Sequence, residues 1–186
     1  MKENILIVDD EPDIRDVISV ILNDEGYNTN CASNAQEAQA KINIEIPSLI
    51  ILDIWMRDST MDGLSLLNWI KDSNPEIPVL MISGHGTVEI AVNAIKAGAY
   101  DFIEKPFKSE KLLFMVSRAL ENSELKKENE ELKQQVRRTD MIVGKSSIIN
   151  SIRQTIAKVS QTNSRVLILG SSGSGKEACA RTIHQE

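Results

Sequence analysis

The sequence predicts an α/β domain built on a five-stranded, parallel, doubly wound sheet, and two observations carry that prediction. Short apolar runs (ILIV at 5–8, LIILD at 49–53, VLMIS at 79–83 and DFIEKP at 101–106) are continuous rather than alternating, as strands covered by helices on both faces must be. The stretches between them repeat apolar residues at helical spacing. Each run also stops at a polar residue: Asp9 and Asp10, Asp53, Ser83, or Lys105.

In chain order, ILIV is the first strand. Residues 11–25 then place Ile14, Val17, Ile18, Ile21 and Leu22 on one helical face, and Gly26 stops that helix. A short strand is expected at 27–31 and a helix at 34–45, opened by Asn34 and Glu37 at the spacing of a capping box, with Asn replacing the usual Ser or Thr. Strands at 49–53, 78–82 and 101–104 alternate with helices at 62–73, 86–97 and 108–120. Five strands and five helices in strict alternation make a flavodoxin-like domain.

Residues 121–138, ENSELKKENEELKQQVRR, differ in kind. They are nearly all charged or amide, hold no Gly or Pro, and favour helix. Leu125, Asn129, Leu132 and Val136 follow the four-three spacing of a coiled-coil seam, and Asn122 precedes them in the same register. Leu113, Val116 and Leu120 fall outside that register and are assigned to packing against the sheet. A solvated helical linker is the plainer alternative. Beyond Thr139 the pattern restarts with a helix carrying Ile148, Ile149, Ile152 and Ile156, a strand VLIL at 166–169, and a glycine-rich loop. The expected organisation is a domain at 1–120, a linker at 121–139 and part of a second domain at 140–186.

Composition narrows the function classes. Twenty-one Lys and Arg against 27 Asp and Glu give a net charge of -6 with no strongly basic stretch, which offers DNA little attraction. The first apolar run is too short for a signal peptide or a membrane span. Cys31 and Cys179 lie far apart without metal-ligand spacing, which reads as a reduced, cytoplasmic compartment. His85 and His184 are isolated.

In a doubly wound sheet the site lies beyond the carboxyl ends of the strands, so the polar residues that end these runs converge in space. A carboxylate can accept a phosphoryl group as a nucleophile, and a hard cation such as Mg2+ with oxygen ligands screens the incoming charge. Asp9, Asp10 and Asp53 supply those oxygens, Lys105 pairs with phosphate, and Ser83 donates a hydrogen bond to it. Pro106 after Lys105 is a candidate cis bond.

On the motifs DDE at 9–11, LD at 52–53, SG at 83–84 and KPF at 105–107, residues 1–120 resemble a response-regulator receiver domain. The resemblance implies Asp53 as phosphoacceptor, Asp10 as a direct Mg2+ ligand, Asp9 as a ligand through water, and the Trp55 backbone carbonyl as a further ligand. It also implies Ser83 as the switch hydroxyl, Lys105 as the phosphate-binding lysine and Phe102 as the aromatic switch. Receivers commonly continue Met-Pro after the acceptor and reach glycine eight residues past it. Here Met56-Arg57 follows, and Gly63 lies ten residues past Asp53. That longer loop, RDSTMDG, and the DIW at 53–55 resemble NtrX-type regulators. Trp55 and His85, each two residues past a site residue, are placed to flank the pocket or simply to pack.

The run Gly170 to Glu177 follows VLIL and meets the spacing G-x-x-x-x-G-K, in which backbone amides cradle phosphates and the lysine reaches the β- and γ-phosphates. Gly170, Gly173, Gly175, Lys176 and Glu177 are the candidate nucleotide contacts, with Glu177 where a P-loop usually has Ser or Thr. The GSSGSGKE form and the VGKS at 143–146 resemble the start of the AAA+ domain of sigma-54-dependent activators, where the GKE ending is usual. The acidic strand, arginine finger, sigma-factor loop and DNA-binding helices of such activators do not appear in these 186 residues.

The leading reading is therefore an NtrC/NtrX-type two-component switch and not itself an enzyme. It takes its phosphoryl group on Asp53 from a sensor histidine kinase, with Mg2+. It forms a homodimer through the linker, with a second contact near 86–120. It reaches ATP, sigma-54 RNA polymerase and DNA only through a complete AAA+ protein, and it contacts no membrane. A P-loop ATPase or nucleotide-binding protein, and a plain dimerisation module, are the alternatives. A haloacid-dehalogenase phosphatase needs Asp-x-Asp at the first strand, and position 11 is Glu.

Overall fold

The computed structural model describes residues 3–56, 59–84, 87–140, 144, 146–162 and 164–185, the side chains of 134–140 and 185 excepted. Two compact units divide it, Met1–Leu125 and Lys126–Glu186. The first alternates β1 (Asn4–Val8), α1 (Pro12–Asp24), β2 (Asn28–Ala32), α2 (Ala35–Ile44), β3 (Leu49–Asp53), α3 (Gly63–Ser73), β4 (Val79–Ser83), α4 (Val88–Lys96) and β5 (Asp101–Glu104), and ends within α5 (Ser109–Asp140), whose residues beyond Leu125 belong to the second. All four strand pairings are parallel, in the order β2-β1-β3-β4-β5. The predicted doubly wound sheet is present.

Period-two side chains explain why the strand runs are apolar throughout. Leu6, Val8, Ile50, Leu52, Val79 and Met81 face one core with Ala38, Ile42, Leu66, Leu67, Ile70 and Ala94. Ile5, Ile7, Leu49, Ile51, Leu80, Ile82 and Ile103 face the other with Ile18, Leu22, Leu112, Val116 and Ala119. Each large side chain buried this way contributes about 1.5–3 kcal/mol. In β1, β3 and β4 two apolar faces leave polar residues a place only at the strand ends, whereas the edge strand β2 carries Asn28, Thr29 and Asn30 within its span.

Local signals explain most boundaries. Pro12 occupies the first turn of α1, and Gly26, with φ at 89°, turns the chain towards β2. The expected capping box at α2 is half formed. Asn34 accepts from the Glu37 amide at 2.9 Å, but the Glu37 carboxylate accepts from the Ser33 amide and hydroxyl rather than reaching the Asn34 amide.

Two expectations are corrected, the apolar face of α1 and the VLIL strand. Val17 shares the spacing of Ile14, Ile18, Ile21 and Leu22 but is 55% exposed. At 100° per residue it lies a full step from Ile18, the centre of the buried arc, so only Ile18 and Leu22 are fully covered. The helix expected at 108–120 and the linker form one continuous α5, because no Gly or Pro interrupts them. Leu113, Val116 and Leu120 do pack against the sheet, while Leu125 and Leu132 are 58% and 53% exposed and the Val136 side chain lies outside those described. In the second unit, α6 (Ser147–Val159) buries Ile156 but leaves Ile148 71% exposed. VLIL forms no strand: a strand needs a neighbour, none of the five described strands pairs with it, and Leu167 and Leu169 are each 82% exposed. A last helix, α7, spans Lys176–Gln185. In VGKS, Val143 and Lys145 lie outside the described residues.

Candidate functional site

The carboxyl ends of β1, β3, β4 and β5 meet at one edge, and each delivers one of the anticipated groups. At the end of β1, Asp9 is buried and fully engaged. Its amide donates to the Ala32 carbonyl at 3.2 Å, its Oδ1 accepts from the Glu11 amide at 2.9 Å, and its Oδ2 lies 2.7 Å from Lys105 Nζ. Arg15 Nη1 donates to the Asp9 carbonyl at 2.6 Å, tying α1 to the same corner.

Asp53 ends β3. Its Oδ1 stands 3.0 Å from Lys105 Nζ and its Oδ2 accepts from the Trp55 amide at 2.9 Å. The Lys105 amide donates to the Ser83 carbonyl at 2.8 Å, which fixes the backbone from which the side chain reaches both carboxylates, and the Lys105–Pro106 bond is cis. Glu11 Oε1 is a more distant third partner at 3.9 Å.

Burial works against both charges and the pairing works for them. Loss of solvent pushes the Asp53 carboxyl up, the neighbouring Asp9 adds to this, and Lys105 only partly offsets it, leaving the group near 6. Burial would lower the Lys105 ammonium, but its bonds to Asp9 and Asp53 overcome that and raise it. Lys105 is therefore held cationic between two carboxylates.

In front of this triad opens a cavity of about 420 Å3 lined by Asp10, Glu11, Asp53, Trp55, Met56, Asp62, Gly84 and Lys105. Asp10 thus joins Asp53 and Lys105 at the mouth. Ser83 is buried at the end of β4 and is not part of that lining. Phe102 is half-buried against the core that contains Met81, its partner in register. Trp55 is 54% exposed at the rim, and His85 lies outside the described residues.

Sequence reasoning gave no role to Glu11 or Asp62. Asp62 N-caps α3, accepting from the Ser65 amide at 2.8 Å, and an Asp before Gly-x-Ser at a helix start is the signal that was available. The longer loop after β3 is also tied elsewhere: Ser59 Oγ accepts from the Ala35 amide at the start of α2, at 3.2 Å. Arg57 and Asp58 of that loop lie outside the described residues.

The cavity's donors suit Mg2+. They are carboxylate oxygens beside a space roomy enough to admit a phosphoryl group, with one ammonium. Among the described residues no three carboxylates are drawn into a dedicated cage, and Mg2+ characteristically keeps several waters while using one or two carboxylates and a phosphate.

In the second unit, residues 170–175 form a loop that runs into α7 at Lys176, with Gly173 and Gly175 at φ of 76° and 83°. Lys176 Nζ donates to the Gly170 and Ser171 carbonyls at 2.8 and 2.6 Å, so the ammonium is curled over the loop. Glu177 pairs with Arg181 at 2.7 Å. A glycine loop opening a helix with a lysine at its mouth is a phosphate-binding arrangement.

Comparison with known proteins separates the same two parts. Residues 5–117 match the response regulator receiver domain and residues 143–186 match the sigma-54 interaction domain. The nitrogen assimilation regulatory protein NtrX of Azorhizobium caulinodans is 54% identical over 184 residues, 99% of this chain and 40% of that protein. The C4-dicarboxylate transport transcriptional regulatory protein DctD of Rhizobium meliloti is 34% identical over 98% of this chain, again 40% of its own length. The crystal structure of NtrX from Brucella abortus in complex with ATP superposes with a TM-score of 0.67 at 52% identity, covering 99% of this chain and 40% of that one. The chain spans about two fifths of the length of the curated relatives it matches.

Proposed function

This chain belongs to the response-regulator receiver family, and on that footing we propose that it is a phosphorylation switch whose acceptor is Asp53. The supporting observation is the single ammonium of Lys105 set between the Asp9 and Asp53 carboxylates at the wall of an acidic cavity. An Asp53 carboxylate oxygen attacks phosphorus. The bond from phosphorus to the donor breaks, its electron pair leaving with the imidazole of a kinase phosphohistidine or with the acetate of acetyl phosphate. Asp10, Asp53 and the Trp55 carbonyl, with Asp9 through water, would hold Mg2+, which would supply positive charge to offset that of the incoming group. Lys105 exchanges a carboxylate partner for a phosphoryl oxygen. Ser83 then turns to the phosphoryl group and Phe102 follows into the space beside β4.

The wider role follows the relatives. One is named a nitrogen assimilation regulatory protein and the other a C4-dicarboxylate transport transcriptional regulatory protein. In the proposed organisation, 1–120 is the receiver, 121–139 a helical linker and 140–186 the beginning of an AAA+ module that meets ATP through Gly170, Gly173, Gly175, Lys176 and Glu177. Control of transcription with sigma-54 RNA polymerase belongs to the whole protein, as do the sensor kinase and the homodimer as partners. No described helix is long and apolar enough to cross a membrane.

Incubation with acetyl phosphate and Mg2+ followed by intact-mass measurement tests the switch. One added phosphoryl group that disappears with Asp53→Asn supports it. Undiminished labelling of that variant would sink it.

A further inference from the structure

Gly63 is the first residue of α3, and it lies against the backbone of Asp53. A Cβ placed on it would fall 2.1 Å from the Asp53 carbonyl oxygen, 2.8 Å from Ile54 Cα and 3.0 Å from the Asp53 carbonyl carbon. All three are main-chain atoms, so no rotamer change relieves the contact. The Gly63 amide donates to the Ile54 carbonyl at 3.0 Å, which keeps the two segments together. Gly63 is not among the glycines of positive φ, so close approach alone demands glycine here. At Gly26 and Gly84 the same added atom would meet open space.

Neither neighbour can easily retreat. Leu66, Leu67 and Ile70 hold α3 against the core at 0% exposure. β3 is clamped between β1 and β4, and the Ile54 amide donates to the Ile82 carbonyl at 3.0 Å. The contact therefore loads the peptide between Asp53 and Ile54 itself, against its bond to the Ile82 carbonyl. Rotation of that peptide would displace the Trp55 amide that holds Asp53 Oδ2 at 2.9 Å.

We propose that Gly63 is a positioning residue for phosphoryl transfer: its missing side chain lets α3 seat the Asp53–Ile54 peptide, and through it the Trp55 amide that orients the acceptor carboxylate. The inference rests on the reading of Asp53 as acceptor. It makes the point where the lengthened loop enters α3 a determinant of rate, at a residue that touches no phosphoryl oxygen.

The test compares Gly63→Ala with Gly98→Ala in the full chain. Gly98 has φ of +98° and its added Cβ would sit 3.3 Å from Lys71 Cγ, so alanine there strains the fold away from the site. Two readouts are taken where circular dichroism reports both variants folded: Mg2+ affinity from tryptophan fluorescence, and the initial rate of phosphoryl uptake at saturating acetyl phosphate. Gly63→Ala should lose about ten- to a hundredfold in rate and bind Mg2+ more weakly, as misplaced reacting groups do. Gly98→Ala should match the wild type in both. A Gly63→Ala protein that keeps the wild-type rate overturns the proposal. If Gly63→Ala does not fold, Trp55→Pro removes the same amide donor without touching α3. A comparable loss of rate then supports the proposal, and an unchanged rate overturns it. A wild-type chain that takes up no phosphoryl group would instead defeat the reading of Asp53, and the Mg2+ comparison alone would decide the role of Gly63.

Discussion

Lys105 Nζ stands 2.7 Å from Asp9 Oδ2 and 3.0 Å from Asp53 Oδ1, so one ammonium joins two carboxylates from neighbouring strands inside the protein. All three side chains are at most 13% exposed. Both carboxylates share that one ammonium, and the Asp9 charge works against an ionised Asp53.

Removing the ammonium leaves two buried carboxylates without compensation. Lys105→Met should cost about 3 kcal/mol at pH 8 in the absence of divalent cations. The cost should shrink as the pH falls through 6 and the Asp53 carboxyl is protonated instead. Urea unfolding at pH 8 and pH 5 measures the difference; an equal loss at both values would contradict the role of the pair.

The Asp53 carboxyl lies near 6 in the folded protein against an ordinary 3.8. A group raised on folding contributes stability that is full below its unfolded value and is lost as the pH climbs through its folded value. Ionised Asp53 is therefore a liability at pH 8. Without metal, Asp53→Asn should be more stable than the wild type there by roughly 1–3 kcal/mol, with the gain fading below pH 4. Added Mg2+ should raise the melting temperature of the wild type by mass action and leave the variant nearly unmoved. Thermal scans across that pH range, with and without Mg2+, check both statements.

Leu125 and Leu132 are 58% and 53% exposed on α5, a wasteful placement for leucines unless a second helix covers them. Replacing both with Glu should shift the full chain from dimer towards monomer in sedimentation. Mg2+ with beryllofluoride should strengthen association of the wild type more than of the variant. An unchanged sedimentation coefficient would make this part of α5 a solvated helix.

Lys176 is curled over the carbonyls of Gly170 and Ser171, so its ammonium is engaged by the loop itself. ATP hydrolysis by residues 1–186 should remain at background, and Lys176→Ala should not change it. Turnover that vanishes with that substitution would show an ATPase within this segment.

The sheet and the charged triad were legible because a buried parallel sheet admits polar residues only where its strands end, and Asp9, Asp53, Ser83 and Lys105 mark those ends. Contacts between backbones were not legible. Nothing in the letters around Gly63 indicates that its Cα lies on the Asp53 carbonyl, or that Ser59 reaches the Ala35 amide, because these depend on how a loop closes rather than on periodicity. VLIL has the composition of a buried strand, yet composition supplies no neighbour. Val17 shows the same limit on a helix, where apolar spacing describes a wider arc than the sheet covers.

The central claim is that Asp53 itself carries the phosphoryl group. Reaction of the chain with acetyl phosphate and Mg2+, followed by borohydride reduction and peptide mass mapping, reads the site directly, because an aspartyl phosphate is reduced to homoserine. Homoserine at position 53, and wild-type Asp at positions 9 and 10, is the predicted result. Homoserine at 9 or 10, or unmodified Asp53 in protein that has gained a phosphoryl group, would contradict it.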